Sequence, residues 1–101
     1  MIVWEYEVAL GDRAAFIQAY GPDGAWDRLF RQGEGYLGLE LLEGENGRFV
    51  TLDRWRSEAD FEAFMTACGQ QYRSLDRQLA NLSLGQRRLG AFVSPPVDGN
   101  Q

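Results

Sequence analysis

At 101 residues, 45% hydrophobic and 13% aromatic, the chain has room for one compact domain and too much apolar surface to stay disordered. Its net charge of −5 and its arginines scattered from Arg13 to Arg88 leave nucleic acid without an electrostatic foothold, so none is expected as a partner. Every cation is arginine and histidine is absent, which excludes histidine-based nucleophiles, histidine metal or haem ligands, lysine Schiff bases and lysine general bases.

Residues 2–10 alternate, with Ile2, Trp4, Tyr6, Val8 and Leu10 on one face, and this predicts a strand. Gly11 ends it, Asp12 stands where a helix N-cap would, and Phe16, Ile17 and Tyr20 fall at helical spacing. Gly21-Pro22-Asp23-Gly24 is a turn, after which Trp26, Leu29 and Phe30 mark a second short helical piece closed by Gly33 and Gly35. Tyr36 to Leu42 and Phe49 to Trp55 read as two antiparallel strands joined by a hairpin loop at Gly44-Glu45-Asn46-Gly47. Ser57-Glu58-Ala59-Asp60 has the form of a helix start. From there Phe61, Phe64, Cys68, Tyr72, Leu75, Leu79 and Leu82 trace one face of a long helix, with a kink expected near Gly69. Arg88 to Val93 reads as a last strand, and residues 94–101 as a flexible tail to a domain spanning 1–93.

The order strand, helix, strand, strand, helix, strand predicts an α+β, ferredoxin-like β-α-β-β-α-β domain on a four-stranded antiparallel sheet. In that arrangement the helices cover one sheet face and leave the other bare. The bare face is expected to carry Val3, Glu5, Glu7, Val50, Leu52 and Arg54, with Leu37, Leu39 and Leu41 from the second strand, and a Glu5 or Glu7 pairing with Arg54. Leucines mixed with ion pairs suggest an interface, and a second copy would close it as a homodimer. The lone Cys68 cannot close an internal disulfide, no apolar run approaches the ~20 residues of a membrane span, and the alternating start is unlike a signal-peptide core. Cytoplasmic location, with no membrane partner, is therefore the expectation.

Four segments together resemble the antibiotic biosynthesis monooxygenase (ABM) superfamily. They are Tyr20-Gly21-Pro22-Asp23-Gly24-Ala25-Trp26, Gly35-Tyr36-Leu37-Gly38, Thr51-Leu52-Asp53-Arg54-Trp55 and Leu89-Gly90-Ala91-Phe92, and the likeness covers the chain to about Val93. The most specific mark is a strand ending Asp-x-Trp, followed by Ser and a phenylalanine-rich helix. The resemblance implies a dimeric α/β barrel with a pocket between sheet and helices in each subunit. Some relatives oxidise aromatic polyketides with molecular oxygen and neither metal nor flavin, while others oxidise quinols or degrade haem. The haem branch uses an Asn-Trp-His set, from which this chain departs by having no histidine. No cofactor and no metal are therefore expected.

On the helix-facing side the alternation places Trp4, Tyr6, Tyr36, Thr51, Asp53 and Trp55, opposed by Trp26, Phe64, Cys68 and Tyr72 from the helices. Asp53, Trp55 and Tyr72 are the candidate catalytic residues, and Trp4, Tyr6, Trp26, Tyr36 and Phe64 the candidate substrate-binding set for a small aromatic ligand. Asp53 stands out because a carboxylate among apolar neighbours has a raised pKa and can act as a base near neutrality. The competing structural readings are that the aromatics are simply core, that Asp53 pairs with Arg88 or with a tryptophan N–H, and that Cys68 is an inert buried thiol. Three functions remain open. They are a cofactor-independent monooxygenase-like oxidoreductase on a phenolic or quinol substrate, a non-catalytic dimeric binding or scaffold module, and an isomerase or cyclase.

Overall fold

The structure, a computed structural model, describes residues 1–96. Four strands form one antiparallel sheet: β1 (Ile2–Glu7), β2 (Tyr36–Glu43), β3 (Arg48–Trp55) and β4 (Gly85–Ala91), in the order β2-β3-β1-β4. The crossover from β1 to β2 carries helices α1 (Arg13–Tyr20) and α2 (Ala25–Phe30), and that from β3 to β4 carries α3 (Glu58–Leu79). This is the split pattern the sequence predicts, with β1 and β3 as central neighbours.

Period-two patterning decides which residues face the helices. On β3, Phe49, Thr51, Asp53 and Trp55 are buried, while Val50, Leu52 and Arg54 on the opposite face are half-buried. Phe16 and Phe49 are fully buried at the centre of a single cluster that all three helices share with the sheet. Phe16 stacks on Tyr20 with ring centroids 4.1 Å apart and meets Phe49 at 5.0 Å. The long helix begins as its sequence requires. Ser57 caps it by accepting the Asp60 N–H at 3.1 Å, and its apolar stripe lies on the cluster. It runs unbroken through Gly69, where a kink was expected, and ends in a 3-10 turn at Ala80–Leu82.

Several expectations need correction. The first strand stops at Glu7, not at residue 10. Val8 leaves the ladder to donate to the Gly47 carbonyl at 2.8 Å, and Leu10, in a 3-10 turn, is 88% exposed. Asp12 precedes α1 but makes no side-chain capping bond. The last strand begins three residues earlier than expected and ends at Ala91. Of the expected tail, residues 94–96 have no regular structure and residues 97–101 lie outside the described residues.

The side assignment along β2 also changes. Tyr36 pairs with Trp55, but a bulge follows, so that Gly38 pairs with Arg54, Leu39 with Asp53 and Leu41 with Thr51. Gly38 takes φ +127°, a conformation open to glycine and strained for other residues. The bulge turns Leu39 and Leu41 toward the helices, where both pack on the core. Glu40 and Leu42 stand on the bare face instead, opposite Leu52 and Val50.

The ion pairs of that face differ as well. Arg54 pairs with Glu40 at 3.1 Å, and Glu5 is held between Arg48 and Arg87, with the Arg87 contact at 3.0 Å. Arginine bonds hold the Glu5 carboxyl below its ordinary range, Arg48 contributing most. These cross-strand pairs tie the two inner strands to both edges.

Candidate active site

Between the helix-facing side of the sheet and α2 and α3 lies a cavity of about 160 Å³. That is close to the ~150 Å³ of an apolar cavity able to admit a benzene ring. Trp26, Phe30 and Leu39 give it apolar walls, and Thr51 and Asp53 rise from the sheet floor. Trp4, Tyr6, Tyr20 and Tyr72 complete the aromatic lining, and half-buried Asp76 and exposed Gln86 bring it to the surface.

Each polar group arrives by a readable route. Thr51 and Asp53 are two apart on β3 and so share its inner face. Trp4 and Tyr6 do the same on β1, paired with Thr51 and Phe49. Tyr72 and Asp76 are one helical turn apart on α3. Gln86 is placed by its pairing with Tyr6.

Asp53 is only 6% exposed, and its one side-chain hydrogen bond among the described residues is from the Trp55 indole N–H to Oδ2 at 2.7 Å. Burial pushes its carboxyl up to about 6. The Trp55 N–H, the backbone N–H of Asp53 itself, the chain's N-terminal ammonium and Arg88 all work against that rise. Arg88, which pairs with Trp4 and so belongs to the helix-facing side of β4, makes no hydrogen bond to Asp53. The tryptophan partner weighed for Asp53 in the sequence is thus the one present.

A second buried carboxylate shows what a structural aspartate looks like in the same molecule. Asp27 on α2 accepts from the Tyr36 hydroxyl at 2.6 Å, the Asp23 N–H at 2.8 Å and Arg31 at 2.8 Å. Burial opposes its ionisation, yet these donors together hold it below its ordinary value. Asp27 is anchored as an anion, with a guanidinium among its donors, whereas Asp53 has only neutral donors and a cavity in front of it. Two carboxylates whose surroundings move them in opposite directions separate a structural role from a proton-transfer role.

The structure brings together Trp4, Tyr6, Trp26, Asp53 and Tyr72 of the eight candidate residues around the cavity. Trp55 stands one hydrogen bond behind, holding Asp53 from below while its own ring packs against Phe30, Tyr36, Phe61 and Phe64. Gly33 makes room for that ring, because a Cβ there would lie 2.7 Å from it. Tyr36 and Phe64 lie outside the cavity wall. The Tyr36 hydroxyl is committed to Asp27, and Phe64, 2% exposed, is core between Trp55, Phe30 and Phe61. Cys68 is buried, its thiol 3.8 Å from Gln32 and away from the lining.

Tyr20, Phe30, Leu39, Asp76 and Gln86 line the cavity without having been singled out from the sequence. Asp76 carried a usable signal, its four-residue spacing from Tyr72. Gln86 and Leu39 depend on a strand register and a bulge that the sequence does not display. Burial raises the Tyr72 phenol to about 12, with Asp53 and Asp76 adding to the rise. Burial raises Tyr6 and Tyr20 as well, so all three hydroxyls stay protonated near neutrality and can donate.

A small helix-roofed sheet with an aromatic cavity and a buried carboxylate held by neutral donors defines a class of α+β pocket fold. The family model of the antibiotic biosynthesis monooxygenases matches residues 1–71, and the chain belongs to that family. No curated protein sequence matches it. Among solved structures it is similar to a candidate antibiotic biosynthesis monooxygenase from Deinococcus radiodurans, at 14% identity, 97% coverage of each chain and a TM-score of 0.66. A variant of SnoaB, a cofactor-independent oxygenase from Streptomyces nogalater, aligns at 16% identity over 95% of each chain, with a TM-score of 0.61. A variant of MhuD, with two manganese protoporphyrin IX bound per active site, aligns at 24% identity over 98% of this chain and 100% of its own, with a TM-score of 0.60. At these identities the likeness is one of fold. Among the described residues no three of Asp, Glu, Cys and His gather as a metal site, and no helix is long and apolar enough to cross a membrane.

Proposed function

We propose that the cavity binds a small phenolic or quinol substrate and that the chain acts as a cofactor-independent monooxygenase-like oxidoreductase, with Asp53 as its general base. The observation that carries this reading is a carboxylate 6% exposed, lining an aromatic cavity, whose hydrogen-bond donors are all neutral. Family membership agrees with it. With its carboxyl near 6, Asp53 is ionised at neutral pH yet basic enough to take a phenolic proton. Trp55 is a positioning residue, fixing one carboxylate oxygen and leaving the other to the ligand. Tyr72, protonated across the same cavity, orients the substrate oxygen.

The chemistry balances without an added reductant. A phenolate held among aromatic walls passes one electron to O2, and the resulting phenoxyl radical and superoxide join at an ortho or para ring carbon bearing hydrogen. The peroxide then loses water to leave a carbonyl, so that phenol and O2 give quinone and one H2O. All four electrons come from the substrate, and Asp53 returns its proton to the departing hydroxide. An oxygen electrode should record one O2 consumed per quinone formed, with one atom of 18O2 in the product. Binding of phenols without any oxygen uptake would instead support the non-catalytic binding module.

We propose further that a second copy of the chain closes the bare sheet face. Support comes from Leu42, 46% exposed beside half-buried Val50 and Leu52, and from the cross-strand ion pairs that flank them. Sedimentation should give twice the 11.4 kDa chain mass, and Leu52→Arg should return it to one chain. A single-chain mass for the unaltered protein at micromolar concentration would dispose of the dimer.

A further inference from the structure

The cavity beside Asp53 carries charge of one sign. Its lining holds two carboxylates, Asp53 on the floor and Asp76 at the mouth, and no arginine. Asp76 is half-buried on α3, and among the described residues it takes part in no ion pair. The cations nearest to it in the chain are turned elsewhere. Arg73 reaches back toward Gly69, its guanidinium 3.2 Å from where a Cβ on that glycine would lie. Arg77 is exposed and, as the next residue, leaves α3 in a different direction. Arg88 on β4 lines a neighbouring groove with Met1, Phe61 and Phe92, not this cavity. The negative field of Asp76 reaches the Tyr72 and Tyr20 hydroxyls and helps to keep them protonated. A carboxylate partly withdrawn from water and left unpaired favours a cation that arrives with the ligand. The aromatic lining works in the same direction, since ring faces attract cations and not anions.

We infer that Asp76 sets the charge preference of the cavity by pairing with an ammonium group on the ligand, so that the preferred substrate is a phenol carrying a basic amine and a phenol carrying a carboxylate is turned away. The inference rests on the proposed phenol site and narrows it. Asp53 accepts from the hydroxyl at the floor, and Asp76 holds the ammonium at the mouth. There the cation keeps part of its water, so the desolvation cost of the pair stays small.

Three phenols of similar shape separate the charges: tyramine, 4-ethylphenol and 4-hydroxyphenylacetate, which are cationic, neutral and anionic at neutral pH. Calorimetric titration of the whole protein should rank them in that order, with tyramine about fivefold tighter than 4-ethylphenol, the worth of a partly exposed ion pair. Raising the salt to about 1 M, where the Debye length is about 3 Å, should shrink that ratio. Asp76→Asn should abolish it, and Glu45→Gln, the same loss of charge on the exposed hairpin loop, should keep it. If Asp76→Asn fails to fold, the ranking and its salt response in the unaltered protein decide. A tyramine preference that survives Asp76→Asn, equal binding of all three, or tightest binding of the carboxylate overturns the role of Asp76 while leaving a phenol site standing. Failure of all three to bind overturns both.

Discussion

Asp53→Asn should lower turnover by about 10²–10⁴-fold, the range a positioned general base contributes, while changing phenol affinity little. Asparagine keeps the shape and can still accept from the Trp55 N–H, but it cannot take a proton. The unaltered protein should gain activity as pH rises through about 6, where Asp53 becomes ionised, and the variant should lose that limb. Burial sets the midpoint, moderated by the Trp55 indole on the same strand, the backbone N–H of Asp53 itself, the N-terminal ammonium ahead of β1 and Arg88 from β4.

The same substitution has a stability signature of opposite sense. Asp53 sits at about 6 in the fold against 3.8 in its ordinary state, so the folded chain binds the extra proton between those values. Stability is therefore highest below the unfolded value and falls as pH rises through 6, by about 3 kcal/mol at 1.36 kcal/mol per unit. Asp53→Asn removes that cost. It should raise the melting temperature at pH 8 by on the order of 10 °C and leave it nearly unchanged at pH 4. Catalysis lost and stability gained together mark a carboxylate kept for function, whereas loss of both would mark a structural one.

Phe16→Ala should produce the largest loss of stability, about 3–5 kcal/mol, because the ring is fully buried and its neighbours cannot close the void. Phe16 touches the helix and the sheet at once, through Tyr20 on α1, Tyr6 on β1 and Phe49 on β3. Tyr6 and Tyr20 go on to line the cavity, so loosening them should also weaken ligand binding. Chemical denaturation measures the first effect and calorimetric titration the second. A loss under 1 kcal/mol would mean that the centre of the cluster is not where these contacts place it.

The fold was readable because its signals are periodic. The alternation of Phe49, Thr51, Asp53 and Trp55 fixed one face of a strand, and the Ser57 cap with its apolar stripe fixed a helix. What escaped the sequence was aperiodic. One bulge at Gly38 exchanged the faces of Leu39 and Leu41, and the start of β4 at Gly85 was hidden by a polar edge strand paired on one side only. The site divided in the same way. Asp53 could be placed on the helix-facing side of the sheet and Tyr72 on the apolar face of the long helix, but nothing in either pattern could show that the Tyr36 hydroxyl is bound to Asp27. The packing of the Trp26 ring among Tyr20, Phe30 and Tyr72 likewise appears only in three dimensions.

One carboxyl group in one cavity carries the proposed chemistry, and carbon-13 NMR of labelled aspartate can watch it directly. Asp53 should titrate near 6, and adding a phenol should displace that midpoint while the Asp27 resonance holds still. An Asp53 carboxyl that titrates in the ordinary aspartate range and ignores every phenol offered would contradict it.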